Sequence, residues 1–265
     1  MRRRLPMALL LVWAAAALVG PWLPLAPYDV RLDDMLAGPS PEDWLGTDEL
    51  GRSVAHRLIA GARISFAVAV SVVALSCLVG TLAGAMAAYV GGWADALLTR
   101  VVDLFLAFPG ILLAIALSAV LGPGIGNLII ALSLVGWVGY ARLARAQVLS
   151  LKTRDHVAAA QALGAGRARI LLRHLIPLLV APLLVEATFG VAAVIVAEAG
   201  LSFLGLGAQP PAPSWGAMIR EGARYMLVAL HLVLAPGIAI MLVVLAVNLL
   251  GDRLRDHWSK EAGRA

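Results

Sequence analysis

Residues 155–177 read DHVAAAQALGAGRARILLRHLIP, a soluble, alanine-dense and arginine-rich stretch between two runs made for lipid. The preceding apolar run ends near Ala141 and the next begins at Leu178, so 142–176 is a polar elbow inside a greasy chain. Asp155 suits an N-cap, His156 to Leu163 can make about two helical turns, and Gly164 fits the left-handed residue that follows a helix. A second helical piece, 167–175, leads to Pro177 and the next run. Two isolated turns are marginal in water because nucleation is costly. Ala158, Ala159, Ala160 and Ala162 give helix propensity but little apolar area. Such a helix is either a surface loop rich in helix formers or a piece held by docking, for which small side chains are suited.

Working outward, the chain of 265 residues is 61% hydrophobic and only 14% charged. Soluble domains carry roughly a quarter charged residues, so the deficit points to a bilayer. A helix that crosses one needs about 20 apolar residues. Six runs meet or approach that, at 5–25, 64–89, 104–121, 128–141, 178–196 and 226–250, the fourth being short. The expectation is an all-α polytopic membrane protein with six spans and little chain left for a soluble catalytic domain. The organisation reads as a first span (1–25), a Pro-, Asp- and Gly-rich extracytoplasmic segment (26–62), a core (63–250) containing the elbow, and a tail (251–265).

The net charge of +5 does not indicate nucleic acid, because its distribution follows the topology. With the N-terminus inside, fifteen of the twenty-one Lys and Arg fall in inner segments: Arg2, Arg3, Arg4, Arg100, seven between Arg142 and Arg173, then Arg253, Arg255, Lys260 and Arg264. The first outer segment instead collects Asp29, Asp33, Asp34, Glu42, Asp43, Asp48 and Glu49. That asymmetry predicts both termini on the cytoplasmic side of the cell membrane. Arg-led MRRRLPMALLLVWAAAALVG could pass for a secretory signal, but five further spans follow and it reads as an uncleaved anchor.

Within the runs, GTLAG (Gly80 to Gly84) is a small-xxx-small pattern that lets helix backbones approach closely. Pro109, Pro182 and Pro236 fall in or at the ends of spans, where each removes a backbone hydrogen bond that lipid cannot replace. Kinked helices lining a shared interior follow. Ahead of the second span, LGTDELGRSVAHRLIAGARIS (45–65) alternates turn and helix signals. Thr47 or Asp48 can cap a short helix along the membrane surface that would end before the dive at Ile64; the alternative is a plain connector.

Four stretches carry a family resemblance. The elbow pattern VxAAxALGAxxxxIxxRHxxP, from Val157 to Pro177, resembles the cytoplasmic EAA loop of permease subunits in ATP-binding-cassette importers. LGTDELGRSVAHRLIAGARIS, AEAGLSFLGLGAQPPAPSWGAMI (197–219) and NLLGDRLRD (248–256) resemble the dipeptide, oligopeptide and nickel permease branch. The resemblance implies the type I, MetI-like importer permease fold, and an ATPase-coupling role for Asp155, Val157, Ala159, Ala160, Gly164, Ala165, His174 and Pro177. Implied partners are a second, homologous permease, two ATP-binding cassette subunits, an extracytoplasmic solute-binding protein and membrane lipid. The implied cargo is a di- or oligopeptide, with nickel, a nickel chelate or another small solute as the alternative. The chain departs from the pattern at Ala158, where the loop's naming glutamate would close a capping box. It departs also at Ser53 and His56, where the branch more often has Asp and Ser, and at Leu178, where Asn is usual.

The chain has no GxxxxGK[ST] phosphate cradle, and its two lysines, Lys152 and Lys260, follow no glycine-rich turn. No cofactor is therefore expected on this chain, and ATP is expected on partner subunits. Cys77 is alone, and the five histidines show no pair at i, i+4, so a metal site is not expected either. An intramembrane enzyme would need a paired nucleophile and base, and Ser71, Ser76 and Ser118 have none nearby in sequence. A scaffold protein would not need a glycine-ended cytoplasmic helix. Glu186 lies about nine residues past Pro177, ~13 Å along a helix, where a carboxylate is costly. It is either a pathway-lining acid that favours cationic cargo or an acid hydrogen-bonded between helices. Glu198, in EAGLSFLGLG, is expected near the outer end of its span, ordering the gate region rather than binding cargo.

Overall fold

The computed structural model describes residues 5–262, with side chains through residue 258. Arg2, Arg3, Arg4 and Arg264, and the side chain of Lys260, lie outside the described residues.

Ten helices make up the described chain: α1 (Leu5–Val19), α2 (Val54–Val90), α3 (Gly92–Leu106), α4 (Gly110–Leu121), α5 (Ile125–Leu151), α6 (Asp155–Ala162), α7 (Arg167–Arg169), α8 (Ile176–Phe203), α9 (Trp215–Ala223) and α10 (His231–Ala262). A π-helical turn, Ile170–Leu175, joins α7 to α8. It falls immediately before Pro177, whose ring and missing N–H exclude the ordinary bond to residue 173. Five helical stretches are long and apolar enough to cross a membrane, and a sixth crossing is available if the bent pair α3 and α4 counts as one.

That pair corrects the third expected span. Residues 104–121 are not one helix: α3 and α4 meet at an 86° bend between Leu106 and Gly110. Pro109 stands at the break with its carbonyl accepting from Leu112 and Leu113, so it starts α4 instead of continuing α3. The fourth span, read as short, is a 27-residue helix of about 40 Å, because Arg142 and Arg145 ride on its continuation past the apolar run. The second begins at Val54, not Ile64. The expected surface helix is its first turns, and neither Thr47 nor Asp48 caps it; Ser53 is the N-cap. The last span begins at His231, after the turns of 224–230, rather than at Met226. Pro182 and Pro236 are accommodated inside α8 and α10.

The most extensive helix contact is α2 against α5, and GTLAG is what lets it close. A Cβ on Gly80 would sit 2.3 Å from the Trp137 carbonyl, and one on Gly84 would sit 2.2 Å from the Ala141 carbonyl. Only hydrogen fits between these backbones. Three apolar clusters fill the bundle. One lies at the α6 end (Val148, Val157, Ile170, Leu175, Leu179), one joins α1, α2, α9 and α10 (Trp13, Val54, Trp215, Leu232), and one joins α2, α4, α5 and α8 (Val68, Ala114, Leu128, Leu201). Much of the remaining apolar surface is exposed, including Leu11, Leu78, Val120, Leu184 and Met241, as suits helices whose solvent is lipid.

Candidate functional site: elbow, trough and cap

The elbow is a rigid piece whose underside is locked into the bundle. Val157 and Ala160 are buried against Leu151, Ile170 and Leu175, while Asp155, His156, Ala158, Ala159, Gln161 and Ala162 are exposed. Asp155 is the first residue of α6, not its cap. Arg154 holds the N-cap position without a side-chain bond, so Asp155 acts through its charge near the positive end of the helix. Position 158 is then the fourth helical residue, and a capping box through it is ruled out by the register. The far end is a complete Schellman motif: Ala165 N–H donates to the Ala160 carbonyl at 3.0 Å and Gly164 N–H to that of Gln161 at 2.9 Å. Gly164 sits at φ +80 with open space where a Cβ would project. Leu163, beside it, is 89% exposed. Ala165 is half-buried against the cluster, His174 is half-buried in the π turn and Pro177 is exposed.

Two contacts that the sequence did not disclose tie this end together. Lys152 Nζ donates to the Ala88 carbonyl at 2.9 Å, fixing the start of the elbow to the end of α2. Arg145 grips Asp95 with two parallel bonds, Nε to Oδ1 at 2.6 Å and a terminal nitrogen to Oδ2 at 2.7 Å, clamping α5 to α3. Their sequence separation of 50 residues left no local signal.

From this end two hollows succeed one another along α5 and α8, together making a trough with no lining residue common to both. Its charged mouth, about 520 Å3, is lined by Asp103, Gly139, Arg142 and Glu186. One turn further along both helices, at Gly136 and Phe189, begins an apolar hollow of about 790 Å3 whose walls come from α4, α5, α8 and α10. Glu186 is half-buried, and a Cβ on Gly139 would stand 3.2 Å from its Oε1. It lines the charged mouth, about one turn of α8 before the apolar hollow begins.

The opposite end is a cross-linked cap. Asp48 receives Arg52 Nε at 2.7 Å and also bonds Arg57, which donates to Glu221 at 2.8 Å; Arg52 reaches Glu49 at 3.2 Å. This network joins the 26–53 segment, α2 and α9. Burial and the neighbouring Asp48 and Glu221 charges push the Glu49 carboxyl above its usual range, against the pull of Arg52. Burial also opposes ionisation of Asp43, but hydrogen bonds from Arg31 and Ser53 prevail and hold it below the usual carboxylate range. Glu198 is buried at the α9 end of its span. It receives Ser202 Oγ at 2.8 Å and Ser65 Oγ at 3.1 Å, with Ser214 as a third hydroxyl partner. Ser214 in turn caps α9 by accepting from Ala217 N–H. α9 is seated further by Trp215 Nε1 donating to the Leu58 carbonyl at 2.9 Å, and by Gly216, whose Cβ would lie 2.2 Å from the Ala199 carbonyl.

Comparison with known proteins agrees with this architecture. Residues 80–262 match the family described as binding-protein-dependent transport system inner membrane component, and the chain belongs to that family. It is the membrane-embedded permease component of an ATP-binding-cassette importer, in the dipeptide, oligopeptide and nickel permease family. The glutathione transport system permease protein GsiD of Escherichia coli O6:K15:H31 is 45% identical over 236 residues, covering 88% of this chain and 78% of that protein. GsiD of Pectobacterium atrosepticum is 43% identical over the same length. An inward-facing structure of the MetNI methionine ABC transporter aligns with 75% of this chain and 95% of its own at a TM-score of 0.59 and 21% identity, a likeness of fold.

Proposed function

We propose that the chain forms one half of an import pathway for short peptides, worked by ATPases on other polypeptides that grip the α6 elbow. The observation that carries this is the elbow itself, a helix whose buried side is fixed to α5 and the π turn while its free side presents alanines, Leu163 and Gly164. A partner that seats on that face moves α5 and α8 as it moves, and these helices line the trough. Asp155, Val157, Ala159, Ala160, Gly164, Ala165, His174 and Pro177 form or frame this lever.

In the proposed orientation both termini and the elbow are cytoplasmic and the α9 cap is extracytoplasmic, following the charge asymmetry. A second permease covers the open trough, two ATP-binding subunits lie beneath, and a solute-binding protein delivers cargo to the cap. Glu186 is the pathway-lining acid, favouring cargo that offers an ammonium group. Glu198 holds α2, α8 and α9 in register at the gate. The 45% identity to glutathione permeases favours a peptide of that size over nickel.

The test is peptide uptake by proteoliposomes containing the assembled importer with Gly164→Val. A branched side chain at φ +80 breaks the Schellman turn and thickens the docking face. Uptake should be lost while the amount of membrane-inserted protein stays unchanged. Full transport by the variant, or nucleotide turnover by this chain purified alone, would refute the reading.

A further inference from the structure

At the α9 end, Arg31, Arg52 and Arg57 each hold a carboxylate. Arg63 does not. It projects from α2 in an exposed position with no ion pair or hydrogen bond among the described residues. It stands on α2 next to Ile64, where the apolar run begins, so it lies at the edge of the stretch that can cross a membrane. Its planar fork matches a phosphate, and phosphates mark the edge of a bilayer's apolar core.

Arg63 opens into a cleft of about 530 Å3. Ile59, Arg63 and Ala67 line it at helical spacing, together with Leu23 and Tyr28 from the segment after α1 and with Ile125. Arg63 is the charged side chain of an otherwise largely apolar lining, and the Tyr28 hydroxyl adds a donor. The cleft shares no lining residue with the trough, whose walls come from α4, α5, α8 and α10. Its walls come from the segment after α1 and from α2, with Ile125 and Pro213 completing it. Cargo in the trough is therefore not its ligand. A bilayer offers an anion carried on apolar chains at the edge of its hydrocarbon core.

We infer that this cleft binds an anionic phospholipid of the leaflet nearest the cap. Arg63 takes the phosphodiester in its fork, Tyr28 donates to a headgroup oxygen, and Leu23, Ile59 and Ala67 contact the glycerol and the first acyl carbons. The inference rests on membrane insertion and not on the identity of the cargo.

The experiment uses the complete importer, assembled with its partner subunits in nanodiscs containing phosphatidylglycerol and then exchanged into phosphatidylcholine alone. Native mass spectrometry counts the phosphatidylglycerol that remains bound. The native complex should retain it through exchange. Arg63→Gln should lower retention about tenfold, and Arg63→Lys, which keeps the charge and loses the fork, should fall between. Unchanged gel-filtration behaviour establishes that both variants assemble. Equal retention by Arg63→Gln would overturn the inference, as would displacement of the lipid by excess inorganic phosphate, which would mark a simple anion site. Weakened docking of the solute-binding protein with lipid retention unchanged would assign Arg63 to a protein partner instead.

Discussion

The two ends of the bundle are held by different means. The cap around α9 is cross-linked by charge and hydroxyl groups: Asp48, Arg52, Arg57 and Glu221 form one buried network, and Glu198 with its serines forms another. The elbow has none of this on its outer face. Backbone bonds close both ends of α6, Val157 and Ala160 anchor it from below, and its outer side is left to small residues and Leu163. An end whose contacts are all internal is a complete object. A helix that keeps a bare, rigid face is shaped to receive its remaining contacts from outside, and the proposed ATPase grip uses that difference.

The comparison can be broken from either side. The severest change strikes the seam that both ends share. Gly84→Leu inserts a side chain where a Cβ alone would lie 2.2 Å from the Ala141 carbonyl. Overpacking of this kind costs about 3 kcal/mol or more, and the variant should fail to accumulate as folded protein by fluorescence-detected gel filtration. At the cap, Arg57→Ala removes the cation shared by Asp48 and Glu221, leaving Asp48 to Arg52 alone and Glu221 to a longer contact with it. The cost should be about 1–3 kcal/mol, seen as a lowered melting temperature. If the cap were merely docked like the elbow, the shift would be small.

At the elbow, Val157→Ala deletes two buried methyl groups and should cost about 1–2 kcal/mol locally. Amide exchange across 155–165 should quicken while the protection of α2 and α5 stays the same. Spread of the effect into α9 would show that the two ends are not independent. The smallest effect concerns Asp43, whose folded-state pKa lies below the usual carboxylate value through its bonds to Arg31 and Ser53. Its stabilisation is present above the usual value and is lost as pH falls through the depressed one. Limited proteolysis of the 26–53 segment should therefore accelerate in that acidic window, and Asp43→Asn should remove the pH dependence while leaving the elbow's protection intact.

Much of this was legible in the chain. GTLAG announced a close helix contact because only glycine permits one, and the contact is the α2–α5 seam. Gly164 announced a helix stop because its left-handed conformation is one that glycine adopts without strain. The broken pair α3 and α4 was not legible: hydropathy sums residues without regard to direction, so Pro109 inside an apolar stretch looked like a kink and is an 86° turn. The register of α6 was misread by one residue, since Asp155 has the chemistry of a cap yet the chain turns at Arg154. The clamps Arg145–Asp95, Lys152–Ala88 and Arg57–Glu221 join residues 50, 64 and 164 positions apart, and no spacing rule reaches that far.

By itself the sequence determined the solvent of each segment, the number of long apolar runs and the glycines that permit contact, because these depend on transfer free energy and backbone sterics, which are local. The tertiary structure alone decided which charges meet, which hollow Glu186 lines and that Arg63 has no ion pair among the described residues. Pairing energies depend on distances that only the packed bundle sets, and in a low-dielectric interior those distances decide whether a buried charge is tolerated.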